Sequence, residues 1–327
     1  MLPGNTPLES VCLLTFFVVI LLVLRKLFSW VFDYFVAPAM GLNADLKSMG
    51  KWAVITGATD GLGKAYAEGL AKLGIDVVLI SRTKDKLDNV AAEIREKYKV
   101  NTKVVVADFT DANIFTHVEK ELTGIEAGIL VNNVGYSYAY PERFLDVPDK
   151  KTLYHNIIHC NVVTLLAMCQ IVMPSMVEQR KGVVINIAST AALIPSPMLS
   201  VYGASKLFVS KFSTDLQSEY KKYGIIVQCV MPGYVATAMS KIKKSSWMVP
   251  SPATFVESAL KTVGIQNQTT GYYPHCFLVA AINSLAAISP KLASYFVINS
   301  MEGIRAAALR KQKREQEAAA AATQTAQ

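Results

Sequence analysis

The stretch Ala53-Val-Ile-Thr-Gly-Ala-Thr-Asp-Gly-Leu-Gly63 decides the fold, because an apolar run of strand type leads directly into a turn with three glycines. Such glycines let the backbone approach a bound group closely, and the helical pattern that follows offers free N–H groups and a positive dipole end. A purely structural turn also needs glycines, so the turn alone is weak evidence. Its place between a strand and a helix predicts a pyrophosphate site of a dinucleotide. The residues predicted to form it are Gly57, Thr59, Asp60, Gly61 and Gly63.

The alternation of strand and helix continues along the chain. Short runs rich in Val and Ile are predicted strands, separated by longer patterns typical of helices. The predicted strands are 53–56, 77–80, 103–107, 128–131, 182–187 and 224–230. Apolar strands that alternate with helices predict a parallel sheet covered on both faces. The sequence therefore predicts an α/β fold, a doubly wound Rossmann-type parallel sheet with helices on both faces.

The end of the second predicted strand favours one dinucleotide over the other. An NAD site usually places an acidic side chain there to bind the ribose 2′-hydroxyl. This chain has Ser81-Arg82 instead, and an arginine attracts the 2′-phosphate of NADP(H) that an acid would repel. A solvated arginine at a helix start is the alternative interpretation. Asp108, after the third strand, is placed to accept a hydrogen bond from the adenine amine.

A tyrosine and a lysine share one helix face in the stretch Tyr202-Gly-Ala-Ser-Lys206. A neighbouring ammonium favours phenolate, so we expect Lys206 to lower the pKa of Tyr202 from its ordinary value near about 10. The phenol would then serve as proton donor and acceptor near neutral pH. The spacing alone occurs by chance in many chains. Ser189, thirteen residues earlier, strengthens the hypothesis by offering a hydroxyl to hold a substrate carbonyl.

Several motifs together resemble the short-chain dehydrogenase/reductase family. The glycine turn, Asn132-Asn-Val-Gly135, Asn161, Ser189, Tyr202-x-x-x-Lys206 and Pro232-Gly233 occur in the family's order, over roughly residues 51–271. The resemblance implies that Tyr202 is the general acid, that Ser189 polarises the carbonyl and that Lys206 binds the nicotinamide ribose. It further implies that Asn161 holds a water of a proton relay. It places Asn133, Gly135, Pro232, Gly233, Val235 and Thr237 beside the cofactor.

Three further stretches, 78–87, 129–135 and 140–148, resemble the family of very-long-chain 3-oxoacyl-CoA reductases, also known as type 12 17β-hydroxysteroid dehydrogenases. This resemblance implies an enzyme of the endoplasmic reticulum membrane that reduces 3-oxoacyl-CoA in fatty-acid elongation. Reduction of a steroid or a related lipophilic ketone is the alternative. A catalytically inactive membrane scaffold is disfavoured, because the glycine turn, Tyr202 and Lys206 are all present. The chain departs from the family at Gly233, where close relatives have another residue.

An apolar run from Val11 to Leu24, closed by Arg25-Lys26, predicts an N-terminal membrane anchor. The run is short for a full span, and snorkelling of the two basic side chains would supply the missing length. Basic residues on the C-terminal side predict that the remainder of the chain faces the cytosol. The expected organisation is an anchor and linker at 1–49, a catalytic domain at 50–273, and apolar C-terminal helices with a basic tail at 274–327. The tail from about Arg305 is expected to fray.

Composition excludes several other functions. The net charge of +8 comes from scattered clusters without interleaved aromatics, which argues against nucleic-acid binding and favours contact with anionic lipid. One cluster, Lys241, Lys243 and Lys244, is either a solvated loop or a contact for a CoA phosphate. Five dispersed cysteines indicate reduced thiols, and four histidines form no ligand cluster, so no metal site is expected. A homodimer is compatible with these features.

Overall fold

A seven-stranded parallel sheet, in the order β3-β2-β1-β4-β5-β6-β7, lies at the centre of the computed structural model, which describes residues 6–325. The strands are β1 Trp52–Thr56, β2 Asp76–Ser81, β3 Thr102–Val106, β4 Ala127–Asn132, β5 Gly182–Ile187, β6 Ile225–Val230 and β7 Gln268–Thr269. The doubly wound α/β prediction is confirmed. The two-residue edge strand β7 was not predicted, because its sequence is too short and polar to carry a strand pattern.

The helices cover both faces of this sheet. They are α1 Pro7–Val31, α2 Ala37–Ala39, α3 Leu46–Met49, α4 Gly61–Lys72, α5 Lys84–Tyr98, α6 Ile114–Leu122, α7 Lys150–Ile158, α8 Thr164–Gln179, α9 Ser200–Tyr220, α10 Pro252–Leu260, α11 Tyr273–Ile288 and α12 Pro290–Thr325. Helices α4, α5 and α10 form one core with the sheet, and α6, α8 and α9 form the other. Successive strand residues alternate between the cores, since Ile55 belongs to the first and Val54 to the second.

The N-terminal apolar segment is a continuous helix from Pro7 to Ala39, in which a π-helical turn, Phe32–Val36, joins α1 to α2. Thr6 and Glu9 form a capping box at its start. None of the residues of α1 is buried, and the segment is long and apolar enough to cross a membrane. The helical segment Lys150–Gln179 also meets that criterion, but more than half of its apolar window is buried in the core.

The C-terminal end of this first segment is docked on α11 by aromatic side chains. The Trp30 ring lies 5.3 Å from the Phe277 ring, and the Phe35 ring lies 5.5 Å from the Tyr273 ring. The Tyr34 hydroxyl also lies 2.9 Å from the Thr269 hydroxyl in β7. The predicted anchor is therefore attached directly to the α/β fold through side-chain contacts.

Helix α12 continues through the region where a frayed tail was expected. Arg305 does not belong to a loose tail, since its guanidinium contacts both carboxylate oxygens of Glu142, each at 2.7 Å. Arg143 forms a second pair with Glu302, also at 2.7 Å. A partner in the loop between β4 and α7 thus fixes this part of the helix, and no local sequence pattern reveals such a partner.

Candidate active site

The glycine turn between β1 and α4 is packed too tightly for side chains. Gly57 and Gly61 have φ of +68° and +56°, in the left-handed region that favours glycine. A Cβ added at Gly63 would lie 2.1 Å from the carbonyl oxygen of Gly57. The Asp60 side chain caps α4 by accepting the Gly61 N–H at 2.7 Å. The turn therefore presents bare backbone at a helix N-terminus, the geometry that receives a phosphate.

Asn133, after β4, braces this turn. Its Nδ2 donates to the carbonyl oxygens of Thr56 and Gly57 at 3.0 and 3.2 Å. The Thr56 hydroxyl accepts the backbone N–H groups of Asn133 and Val134, both at 3.0 Å. The side chain of Asn133 therefore shapes the glycine turn. A role for Thr56 is not predictable from the sequence, because its position in the strand resembles that of any other core residue.

Arg82 and Asp108 lie together at the carboxyl ends of β2 and β3. Arg82 is exposed, and Thr59 Oγ1 lies 3.1 Å from Ser81 Oγ beside it. The Thr110 backbone N–H, with smaller contributions from the Thr110 hydroxyl and the Arg82 charge, lowers the pKa of the Asp108 carboxyl. An ionised acceptor and an unburied guanidinium thus flank one edge of the glycine turn.

Tyr202 and Lys206 occupy one face of α9, as their spacing predicts. Lys206 Nζ lies 5.8 Å from the centre of the Tyr202 ring and donates to the Ile187 carbonyl oxygen at 2.9 Å. Burial raises the pKa of Tyr202, and the Ser189 side chain acts in the opposite direction. The net direction of the Tyr202 pKa is therefore opposite to the lowering that a neighbouring Lys206 ammonium was expected to cause. Burial also lowers the pKa of Lys206 to about 8, which weakens its effect on the phenol.

Asn161 lies in a π-helical segment, His159–Val163, which joins α7 to α8. Such π turns often occur at functional sites because they re-aim a side chain. Asn161 Oδ1 accepts the Tyr136 N–H at 2.8 Å, and its Nδ2 donates to the Tyr136 carbonyl and to Ser205 Oγ at 3.1 and 2.9 Å. This buried amide thus joins the β4–α7 loop to α9. The contribution of Ser205 was not predicted from the sequence, although it lies inside the Tyr-to-Lys motif.

A small cavity of about 10 Å³ lies behind Lys206 and Asn161. Asn132 also lines it, and Asn132 Oδ1 is buried without a hydrogen-bond partner among residues 6–325. A polar cavity of this size holds about one water molecule. The cavity thus offers a water site within the group of residues that the sequence singles out.

The segment after β6 closes the other side of the glycine turn. Thr190 N–H donates to the Pro232 carbonyl oxygen at 2.9 Å, which joins this segment to the Ser189 region. A Cβ built at Gly61 would lie 3.3 Å from Thr237 Cγ2. Thr237 therefore lies across the turn, and Val235, two residues earlier, is buried in the core. A Cβ built at Gly135 would lie 3.4 Å from both Asn161 Oδ1 and Lys206 Nζ, so bare backbone faces the lysine.

A larger pocket of about 280 Å³ opens beside Tyr202. Tyr136 and Tyr138 line it, and Tyr138 belongs to an apolar cluster against which Tyr136 and Tyr202 pack. Glu142 and Val147 form another part of its wall. Lys241 Nζ donates to the Ala139 carbonyl oxygen at 2.8 Å at its rim. The volume is near the lower end of ligand pockets, about 300–1,000 Å³.

The structure thus places the predicted residues near the carboxyl edge of the sheet, which is where ligands of open α/β sheets bind. The family model for short chain dehydrogenases matches residues 51–247. The chain belongs to the short-chain dehydrogenase family, and it is an oxidoreductase that acts on ketone or hydroxyl groups.

Similar curated proteins include very-long-chain 3-oxoacyl-CoA reductases. The very-long-chain 3-oxoacyl-CoA reductase of Homo sapiens is 48% identical over 267 residues, which cover 81% of this chain and 84% of the relative. The very-long-chain 3-oxoacyl-CoA reductase-B of Danio rerio is 47% identical over 266 residues, covering 81% and 85%.

Solved structures share the fold. A short-chain dehydrogenase from Sphingobium yanoikuyae in complex with NADPH is 29% identical, with a TM-score of 0.62, and the match covers 74% of this chain and 95% of that chain. A 7β-hydroxysteroid dehydrogenase is 28% identical, with a TM-score of 0.66, and the match covers 72% and 93%.

Proposed function

We propose that this chain catalyses the NADPH-dependent reduction of long-chain 3-oxoacyl-CoA to 3-hydroxyacyl-CoA, a step of very-long-chain fatty acid elongation. The observation that carries the proposal is the pairing of Tyr202 with the buried Lys206 ammonium, where Tyr202 packs against an apolar cluster that lines the pocket of about 280 Å³. The names of the human and zebrafish relatives, at nearly half identity over most of the chain, support this substrate class.

The residues present fit NADP(H). The bare backbone at Gly57, Gly61 and Gly63 suits a pyrophosphate, because an added Cβ at Gly63 would collide with the turn itself. Among residues 6–325, Lys206 Nζ donates a hydrogen bond to the Ile187 carbonyl, which leaves donor capacity for ribose hydroxyls. Arg82 is exposed where the 2′-phosphate would lie, and Asp108 can accept from the adenine amine.

In this proposal the bound cofactor supplies a hydride to the carbonyl carbon. Tyr202 donates its phenolic proton to the carbonyl oxygen, and the Ser189 hydroxyl donates a hydrogen bond that orients the same oxygen. Because burial raises the pKa of Tyr202, the phenol is protonated at neutral pH and available as the acid. Lys206 would hold the ribose and stabilise the phenolate that remains after transfer.

Reprotonation of Tyr202 requires a route from solvent. The cavity lined by Asn132, Asn161 and Lys206 could hold one water on that route. The amide of Asn161 holds Tyr136 and Ser205 around the cavity, so its proposed role is to shape the water site.

The pocket beside Tyr202 would receive the acyl chain near the 3-oxo group. Its volume is too small to enclose a very long chain, so the distal methylenes would extend beyond it. The exposed Lys243 and Lys244 lie in the loop whose Lys241 contacts the pocket rim, and they are our candidates for the CoA phosphates. Lys241 itself is engaged with the Ala139 carbonyl.

We further propose that α1 anchors the chain in the endoplasmic reticulum membrane, with the catalytic domain in the cytosol. The support is the exposed apolar surface of α1, followed by Arg25 and Lys26. Exposed apolar side chains on α11 and α12, such as Phe277, Ile288 and Phe296, would contact the same membrane lipid. In this organisation residues 1–49 are the anchor, 50–273 the catalytic domain and 274–327 the membrane-facing end. Each chain carries a full set of site residues, so a homodimer would have two independent sites.

Reduction of a steroid ketone is the second candidate. The solved 7β-hydroxysteroid dehydrogenase shares the fold over most of the catalytic domain, which is the observation in its favour. A rigid ring system either fits the pocket or does not. An acyl chain instead gains about 0.8 kcal/mol per buried methylene, which is about fourfold in affinity.

The test is NADPH oxidation by the purified full-length protein with 3-oxoacyl-CoA substrates of increasing length, estrone and retinal. We expect kcat/KM to climb with acyl length until the pocket is full. Leu278→Asp on α11 should lower kcat/KM for long chains, whereas Asn283→Asp places the same charge at an exposed polar position of that helix and should not. Efficiency flat in chain length, or high only with estrone, would replace the acyl-CoA assignment with the steroid one.

A further inference from the structure

A buried histidine outside the predicted site contacts the cofactor side of the fold. His275, in the first turn of α11, has no exposed surface. Its Nδ1 accepts the backbone N–H of Gly233 at 3.1 Å. Its Nε2 lies 3.2 Å from the carbonyl oxygens of both Tyr234 and Met248. Because Nδ1 accepts, the proton is on Nε2, which donates to the two carbonyls. These bonds specify a neutral ring with one tautomer.

The partners of His275 are the two ends of a single segment, residues 233–248. Gly233 and Tyr234 lie shortly after β6, which ends at Val230, and Met248 lies at the far end, before Pro250. One backbone bond supports the same closure, since the Ala236 N–H donates to the Pro250 carbonyl at 3.0 Å. The imidazole therefore closes the base of this loop, because it forms hydrogen bonds with the backbone at both ends of the loop.

The loop closed in this way carries the groups that face the glycine turn. Thr237 lies across Gly61, and Val235 is buried in the core. The lysine cluster and Trp247 occupy the outer part, where Trp247 Nε1 donates to the Tyr273 hydroxyl at 3.2 Å. Opening the base of the loop would thus move both Thr237, which faces the glycine turn, and Lys241, which contacts the pocket rim.

We propose that His275 is a positioning residue for the NADP(H) site, which holds residues 233–248 closed and thereby places Thr237 over the glycine turn. The identity of the ligand, NADP(H), rests on the proposed function. The closing of the loop by His275 rests on the structure alone. Burial lowers the pKa of His275, which keeps the ring neutral at physiological pH and preserves its acceptor at Nδ1.

The ring of His275 leaves no room for a side chain at Gly233. A Cβ built at Gly233 would lie 2.9 Å from His275 Cδ2 and 3.1 Å from Cγ. The ring occupies the space that a side chain at 233 would need, and it also receives the N–H of the same residue. A side chain at 233 would therefore displace the ring from Met248, which gives a second way to open the loop.

The experiment uses the full-length protein and two readouts. Trypsin cleavage after the exposed Lys241, Lys243 and Lys244 reports loop opening without cofactor, and NADPH fluorescence titration gives the Kd. His275→Leu removes both the acceptor and the donor, so we expect cleavage in the loop to rise about tenfold and the Kd for NADPH to rise to a similar extent. Cleavage at the exposed Lys120 of α6, as a measure of global unfolding, should change less than twofold.

Two conservative variants separate positioning from bulk packing. His275→Asn can accept from the Gly233 N–H, and His275→Gln can donate toward the carbonyls, so each should restore part of the protection. Gly233→Ala tests the contact from the other side and should raise loop cleavage with His275 intact. His117→Leu, at an exposed histidine of α6, is the matched control and should change neither readout.

The outcomes are distinct. If loop cleavage in His275→Leu and Gly233→Ala stays within twofold of the parent, the proposal is wrong. The same holds if cleavage rises equally at Lys120, since that result means general unfolding. If the parent protein fails to bind NADPH while the loop still opens in both variants, the proposed cofactor is wrong and the loop-closing role of His275 stands.

Discussion

The guanidinium of Arg305 holds the carboxylate of Glu142 through two parallel contacts of 2.7 Å, although 163 residues separate them in the chain. Glu142 lines the pocket beside Tyr202, and its backbone N–H donates to the Met198 carbonyl just before α9. The pair thus connects the C-terminal helix to the pocket wall and to the start of α9, the helix that carries Tyr202 and Lys206. The Arg305 hydrogen bond also lowers the pKa of the Glu142 carboxyl.

The first prediction concerns this pair. Arg305→Ala leaves the Glu142 carboxylate without its planar partner, so we expect a lower Tm and a higher KM for long acyl-CoA. Arg305→Lys should recover only part of the loss, because an ammonium cannot form the two-pronged contact. Arg310→Ala, one exposed turn further along α12, is the control. Equal KM values in all three variants would show that Arg305 does not influence substrate binding in the pocket.

The second prediction concerns the acid. Tyr202→Phe removes the transferable proton and keeps the ring, so NADPH binding should persist while kcat falls on the order of a hundredfold or more. Stopped-flow kinetics and a fluorescence titration measure the two quantities. Turnover within a few-fold of the parent would exclude Tyr202 as the proton donor.

The third prediction concerns cofactor choice. Arg82→Asp replaces attraction by repulsion at the 2′-phosphate, so KM for NADPH should rise by at least tenfold while KM for NADH changes little. Lys86→Asp, an exposed charge reversal on α5, should alter neither value. A parallel rise for both cofactors in Arg82→Asp would show that Arg82 does not bind the phosphate.

The fourth prediction concerns pH. Burial lowers the pKa of Lys206 to about 8, so the charged fraction of this lysine in the free enzyme falls as pH rises through that value. If the ammonium binds ribose hydroxyls, kcat/KM for NADPH, which reports the free enzyme, should decline above about pH 8. Lys206→Arg, which stays charged, should lose this alkaline limb even if its maximal rate is lower. A limb that survives in Lys206→Arg must come from another group.

The fifth prediction concerns topology. Asn267-Gln-Thr269 is a glycosylation acceptor that is used only in the lumen. With the catalytic domain in the cytosol, Asn267 should remain unmodified in microsomes, and endoglycosidase treatment should not change the mobility of the chain. An acceptor tag fused ahead of residue 1 should be glycosylated in the same membranes. A glycan on Asn267 would reverse the proposed orientation.

The sequence predicts those parts of the site whose geometry is local. The glycine turn and the Tyr202–Lys206 pair depend on spacing within one turn or one helix, so the pattern determines which groups can meet. The expected strands also appear within a few residues of their predicted bounds, because each is a buried apolar run.

Other features depend on partners far apart in the chain. The Asn161 contacts with Tyr136 and Ser205, the ring of His275 over Gly233 and the Arg305–Glu142 pair all join separate elements. The direction of the Tyr202 pKa was wrongly predicted for the same reason, since the spacing of a motif does not reveal how deeply its residues are buried. The edge strand β7 forms because β6 offers it a partner, and its own two residues carry no pattern.

The aromatic contacts between the first helix and α11 have a consequence for how substrate is found. Because Trp30 packs on Phe277 and Tyr34 reaches Thr269, side-chain packing restrains the apolar helix relative to the sheet. If that helix lies in a bilayer, the domain cannot tumble freely, and the pocket stays at a constant height above the lipid. The search for substrate then becomes a two-dimensional one, in which enzyme and acyl chain meet by lateral diffusion with one entrance always turned the same way.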